Sequence, residues 1–316
     1  MENNWVSYKN GNYIVALDTA HGTKIRYNDL DSFRADRPEN IDIKITNRCT
    51  NPCGTKECPK NCEFCHENSG PNGKHSDALN SKFIETLPEW TECALGGGNL
   101  LEYPDLVPLL YKMKNLHLIS NITVNQKHFM ENLSLLRELS NQKLIYGLGV
   151  SLTNPYEEGF IAAVKTFPNA VIHVINGVVT LAQLSALGCK DLKILILGYK
   201  EVRRGVAYKA DVDHMVEFRK NRLYASLPFI AEHNWFKTIS FDNLALEQLE
   251  PKRFLSDEFY QEHYMGEDYG KMTSASFYVD LVENIFAPNS CDLNHRYPLE
   301  NHTATECYQL LRDNKI

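Results

Sequence analysis

Long apolar runs are missing from this chain of 316 residues. None approaches the about 18 residues that a membrane-spanning helix needs. Positive charge is scarce too: 33 Lys and Arg stand against 40 Asp and Glu, for a formal net charge of −7. That balance argues against a protein that coats nucleic acid by bulk electrostatics and leaves only a local basic groove for such a role. Repeats, low-complexity tracts and a flexible interdomain linker are also absent, so one core with decorations is the simplest organisation. The opening MENNWVSYKN has neither a basic n-region nor an apolar h-region, and a cytoplasmic protein is expected. With 43% hydrophobic and 23% charged residues, the composition is that of a globular protein and not of a disordered one.

What is present starts with turns. Asn10-Gly11 lies between Tyr8 and Tyr13 among alternating residues, a hairpin signal, and a second turn over Asp18 to Gly22 joins YIVAL to TKIRY. From residue 41 the pattern changes to alternating strands and helices. Strands are expected at 41–46, 90–98, 116–125, 144–153, 170–177 and 192–199, with helices between them. Several of these strands are near-continuous apolar runs, as expected of parallel strands covered on both faces. A long helical stretch over about 210–238 follows, then TISFDNLALEQL and a hairpin around SFYVDLVENIFA. The fold class is α/β, either a parallel barrel or a doubly wound sheet.

Cysteine is distributed unevenly. Cys49, Cys53, Cys58, Cys62 and Cys65 fall in one short segment, whereas Cys93, Cys189, Cys291 and Cys307 lie far apart. In a reducing compartment such crowding reads as metal ligation before disulfides. Cys58-x3-Cys62-x2-Cys65 supplies three thiolates, which on a four-iron cluster leaves one iron open to another ligand. The segment follows a strand, which places it at the end of a parallel sheet where active sites sit.

Here the sequence resembles the radical S-adenosylmethionine (radical SAM) superfamily. The resemblance rests on Cys58-Pro-Lys-Asn-Cys62-Glu-Phe-Cys65, with Phe64 before the last cysteine, on the strand ending Ile45-Thr46-Asn47, and on ALGGGNLLEYPDL. It covers roughly residues 40–245 and extends to strand ends at Gln126, Ser151 and Lys200. It implies a partial (β/α)6 TIM-like barrel over 40–245, an N-terminal β-hairpin extension over 1–39 and a C-terminal α+β cap over 246–316. It also implies a 4Fe–4S cluster on Cys58, Cys62 and Cys65, reductive cleavage of SAM to a 5′-deoxyadenosyl radical, and hydrogen abstraction from a substrate. Gly96, Gly97 and Gly98 would hold the methionine end of SAM, where the lack of Cβ lets the backbone approach. Asn99, Asn125 and Ser151 would lie near the methionine or ribose. Expected partners are a small-molecule, nucleoside or peptide substrate and an electron donor such as flavodoxin or ferredoxin.

Two features depart from the family. Asn99 and Leu100 follow the glycines where an acidic residue is usual. Cys49 holds the position just after the strand that the family's first ligand usually occupies, so Cys49 is an alternative to Cys58, and Cys53 has no assigned role. Other readings of the segment stay open: a zinc-stabilised binding protein using four of the cysteines and His66, or an iron–sulfur electron-transfer protein with a fourth cysteine ligand. His66 and His75 read as surface residues, and Lys200, Arg203 and Arg204 as a solvated face or a contact to substrate or the SAM carboxylate. Cys93 and Cys189 read as core thiols. Cys291 reads as a candidate hydrogen donor.

Overall fold

The computed structural model describes residues 4–29, 33–50, 62–212, 214–263 and 275–315. Cys53 and Cys58 lie outside them. The alternating N-terminal residues form an antiparallel sheet of Trp5–Asn10 (β1), Tyr13–Asp18 (β2) and Lys24–Tyr27 (β3), as the turn signals require. Its inner face is buried at Tyr13, Val15 and Leu17, and through Tyr13 and Val15 it joins the main core. Trp5, Ile14, Ile25 and Tyr27 stay exposed on the outer face.

The strand–helix series then runs as expected: Asn40–Thr46 (β4), Lys82–Glu85 (α1), Glu92–Gly97 (β5), Leu106–Asn115 (α2) and Ile119–Asn125 (β6). It continues through Gln126–Glu131 (α3), Leu133–Asn141 (α4), Gly147–Ser151 (β7), Phe160–Lys165 (α5), Ala170–Ile175 (β8), Leu181–Leu187 (α6) and Lys193–Leu197 (β9). The helical stretch expected over about 210–238 is met by Met215–Glu232 (α8), preceded by Arg204–Asp211 (α7), and TISFDNLALEQL divides into Thr238–Phe241 (β10) and Asn243–Leu249 (α9). Asp257–His263 (α10), Ser276–Asp280 (β11), Ile285–Ala287 (β12), Tyr297–Pro298 (β13) and Ala304–Arg312 (α11) follow.

Strands β4 to β10 pair in parallel in chain order. Beyond β4 the sheet continues through β11, again parallel, and through the antiparallel β12 and β13. The expected C-terminal hairpin therefore exists, but its first strand extends the main sheet. The reason is burial: Phe277, Tyr278, Val279 and Asp280 are all buried, and β4 offers them an unpaired edge.

The two faces of the sheet differ. One carries Ile41, Ile43, Ile45, Leu95, Ile122, Val124, Val150, Ile172 and Ile194, which pack against helix residues such as Met113, Phe129, Leu136 and Leu187 in one core. The other carries Asp42, Lys44, Ala94, Gly96, Asn121, Thr123, Ser151 and His173. The strands are thus not apolar on both faces. Lys200, beyond β9, donates to Ser290 Oγ beyond β12 at 3.0 Å, and Arg203 donates to the His66 carbonyl, in the segment after β4, at 2.9 Å. In a flat sheet, five spacings of about 4.8 Å would hold β9 about 24 Å from β4. The sheet is therefore strongly curved, and small residues at Ala94, Gly96, Gly147 and Gly149 line its polar face. Among the described residues, no helix is long and apolar enough to cross a membrane.

Glu39, fully buried, ties the N-terminal sheet to the start of β4. It accepts from Tyr13, from Arg26 Nη2 at 2.8 Å and faces Lys24 Nζ at 3.4 Å. Burial alone would raise its pKa, but the Arg26 hydrogen bond and the two cations hold it below the usual carboxylate range. A depressed folded value means stability that is complete above the unfolded carboxylate pKa of about 4.3 and lost as pH falls below it. Glu39→Ala should cost about 3–5 kcal/mol, because the largely buried Arg26 loses its carboxylate partner, whereas Lys24 keeps Glu92. Chemical denaturation at pH 7 and pH 3.5 checks both points: the gap between wild type and variant should shrink in acid.

Candidate active site

The C-terminal ends of the parallel strands form one rim. Asn125 and Ser151 are direct partners across β6 and β7, and Ser151 pairs with His173 on β8. The glycine run ends β5 beside the exit of β4. Gly98 N–H donates to Thr46 O and Asn99 N–H to Arg48 O, both at 2.8 Å. A Cβ on Gly97 would stand 2.0 Å from Thr46 O, and one on Gly98 2.0 Å from Arg48 O, so both glycines are demanded by backbone packing. Gly97 also has φ 113°, which side chains resist. Gly96 is different: a Cβ there would meet no described atom within 4 Å. The backbone at Gly96 is bare toward the polar face.

The exit Thr46–Cys49 also receives the other end of the cysteine segment. Gly70 N–H donates to Asn47 O at 3.1 Å, and Cys49 N–H to Gly70 O at 2.9 Å. Between these joints Cys62 and Cys65 sit on a turn closed by Cys65 N–H to Cys62 O at 2.9 Å, with Cys62 at φ 58°. Cys49, Cys62 and Cys65 are all partly exposed. Cys93 and Cys307 are buried in the core, where burial raises their thiol pKa values, that of Cys307 to about 12. Thiols at the rim suit soft metal ligation, whereas the core thiols do not. Among the described residues, no group of three or more His, Cys, Asp and Glu is gathered closely enough to hold a metal ion, so Cys49, Cys62 and Cys65 do not form a closed site by themselves. Cys189, expected in the core, is exposed at φ 56° after α6.

A charged network lies inside the rim. Lys44, 3% exposed, meets Glu67 at 3.2 Å and the fully buried Asp280 at 3.0 Å. Glu67 also faces His66 Nε2 at 3.3 Å and Arg203 Nη1 at 3.5 Å. Burial opposes its charge, but His66 and Lys44 hold its carboxyl well below the usual range. Burial and Lys200 push the His66 pKa down, with Glu67 opposing. Arg203 has φ 51° and ψ −121°, a backbone conformation that costs a non-glycine residue about 1–3 kcal/mol.

Deeper on the polar face, Asp42 is open to water yet enclosed by the curved sheet. Burial raises its pKa; Lys200 opposes this, while Asp242 and Glu67 add to it. Burial lowers the His173 pKa to about 4, so the ring is neutral near pH 7. Its edge lies where a Cβ on Gly149 would stand, 2.3 Å away. Cys291 follows Ser290, the acceptor of the Lys200 ammonium.

Several expected site residues are committed locally. Asn99 Oδ1 accepts from Leu101 N–H, and its Nδ2 donates to Glu102 at 2.8 Å. Asn125 Oδ1 caps α3, and Gln126 is buried and bonded to Thr153, Asn154 and Glu157. His75 binds Thr46 Oγ1 at 2.9 Å, and Phe64 packs edge-on against Tyr208. Sequence reasoning missed Glu102, whose Oε1 gathers Asn99, Thr50 N–H at 2.9 Å and Thr50 Oγ1 at 2.8 Å. It lines a cavity of about 330 Å³ with Asn99, Lys127 and His128. Asp42 and Lys44 were missed as well, although two charges alternating through IDIKIT were a signal of a wet second face.

The glycines separate experimentally. Gly98→Ala should destabilise the fold by about 1–3 kcal/mol through overpacking. Gly96→Ala should stay within about 0.5 kcal/mol of wild type, as at an uncrowded position. Thermal denaturation of the two variants side by side checks this contrast.

No family model matches the chain, and no curated protein matches its sequence. Solved structures match it in fold. They include Streptococcus suis SuiB bound to S-adenosylmethionine, at 12% identity and a TM-score of 0.56 over 99% of this chain and 88% of that one. SuiB bound to its precursor peptide SuiA matches at 11% identity, with the same TM-score and coverage. At these identities the likeness is one of fold. The α/β class expected from the strand–helix series is the fold shared with these structures.

Proposed function

We propose that this chain is a radical SAM enzyme. One observation carries the reading: the exit of β4, Thr46–Cys49, holds both the glycine turn that bares Gly96 and the segment that carries Cys62 and Cys65. Cys62 and Cys65, with Cys58 or Cys49, would hold a 4Fe–4S cluster. Such a cluster with SAM bound supplies one-electron cleavage of SAM to a 5′-deoxyadenosyl radical, which takes hydrogen from a substrate.

The remaining work belongs to the chain. The bare backbone at Gly96 accommodates the methionine end. Asn99 is occupied by Leu101 and Glu102, so Glu102 provides the carboxylate for an ammonium group that the residue after the glycines lacks. Ser151 offers its hydroxyl to the ribose; Asn125, adjacent on the rim, would reach it only by exchanging its bonds to Lys127 N–H and Thr153 Oγ1. The curved sheet acts as a partial barrel, with 40–245 as its body and the segments 1–39 and 246–316 closing its sides. Its polar face, with Asp42, Lys44 and His173, receives the substrate and limits the water around it. The fold shared with a protein that binds a precursor peptide favours a peptide substrate. Flavodoxin or ferredoxin would deliver the electron.

Protein purified without oxygen, reconstituted with iron and sulfide, and given dithionite and SAM should form 5′-deoxyadenosine, read by mass spectrometry. Cys62→Ala and Cys65→Ala should abolish it. Of Cys49→Ala and Cys58→Ala, only the variant lacking the true third ligand should lose iron. Glu102→Gln should raise the KM for SAM about tenfold, the equivalent of one charge-assisted hydrogen bond. Stoichiometric zinc with no 5′-deoxyadenosine would overturn the reading.

A further inference from the structure

We propose that Arg203 and Arg204 are positioning residues, which clamp the segment after Cys65 across the rim of the sheet and so fix the turn that presents Cys62 and Cys65. Its consequence for a cluster rests on the function proposed above; its geometry does not.

The segment needs such an anchor. After Cys65, its backbone rejoins the body at Gly70, which pairs with Asn47 and Cys49. Between these points the two arginines make four contacts. Arg203 Nη1 donates to His66 O at 2.9 Å and faces Glu67 Oε2 at 3.5 Å. Arg204 donates from Nε to Asn68 Oδ1 at 2.9 Å and from Nη2 to Ser69 O at 2.6 Å. Neighbouring residues on β9–α7 thus grip four consecutive residues of a segment that follows β4. Two forked guanidiniums suit this task, since each presents several donors in a fixed plane.

Two further observations point the same way. Arg203 keeps its side chain in this grip although its backbone conformation is one that glycine adopts freely and arginine does not. Strain of this kind persists where surroundings enforce it. Glu67, the carboxylate in the grip, is also bound by Lys44, and Lys44 by Asp280. The clamp is thereby tied through β4 to β11.

Hydrogen exchange on the metal-free protein tests the clamp directly. Arg203→Gly removes the grip and relieves the strain. Exchange at residues 66–70 should accelerate about tenfold while the thermal midpoint holds or rises. Arg204→Ala should accelerate the same residues and serves if Arg203→Gly does not fold. Unchanged exchange in both variants overturns the clamp. On reconstituted protein, Arg203→Gly should bind less iron. The cluster's midpoint potential, read by electron paramagnetic resonance, should fall in Arg203→Gln and stay near wild type in Arg203→Lys, which keeps the positive charge. A loosened segment with full iron content and an unchanged potential would make the clamp purely structural and overturn its role toward the cysteines. If wild-type protein takes up no iron, the proposed function fails, while the exchange rates still report on the clamp itself.

Discussion

A buried ammonium governs the layout of this molecule. Lys44 sits on a strand flanked by isoleucines, and a charge in that position is tolerable only with partners at hydrogen-bond distance. It finds Asp280 and Glu67, which come from distant parts of the chain. One ends the strand that pairs with β4; the other belongs to the segment carrying the cysteines. Glu67 in turn meets Arg203 beyond β9. Four pieces of chain are thus drawn to one point, and the sheet must curve for them to meet.

Much of this was legible from residue order. Asn10-Gly11 between tyrosines marked the first hairpin, and six strand–helix repeats marked the parallel sheet. The crowded cysteines and the triple glycine marked the rim. The second face of the sheet was harder, because VIHVI and KILIL read as apolar runs. Their inward positions, His173 and Leu195, are decided by which face the helices cover, and no single strand carries that information. The placement of β11 was also hidden, since pairing with β4 depends on an edge left open far away in sequence. Cys189 looked like a core thiol from its apolar neighbours, yet it falls on the turn after α6 and points outward. Glu102 escaped notice because a 3₁₀ turn, capped by Asn99, folds it back by three residues.

The candidate site separates roles that sequence alone merges. Gly97 and Gly98 serve packing, whereas Gly96 serves openness. Gln126 and Asn125 are neighbours, but the first is buried and locked in four hydrogen bonds, while the second stands on the rim with two. Polar residues near a strand end are therefore not equivalent, and the hydrogen-bond partners of each decide what it can still do.

The pairing of β4 with β11 has a consequence for how the chain comes to its native state. β4 is among the first strands of the main sheet to leave the ribosome, and one of its edges must wait until residue 280 has been made. During that interval an apolar strand with unpaired amides is exposed, the condition under which partly made proteins associate wrongly. Asp42 and Lys44, charges spaced through Ile41, Ile43 and Ile45, lie on that same strand. They keep its other face charged until its late neighbour arrives, so the groups that line the finished site also guard the unfinished one.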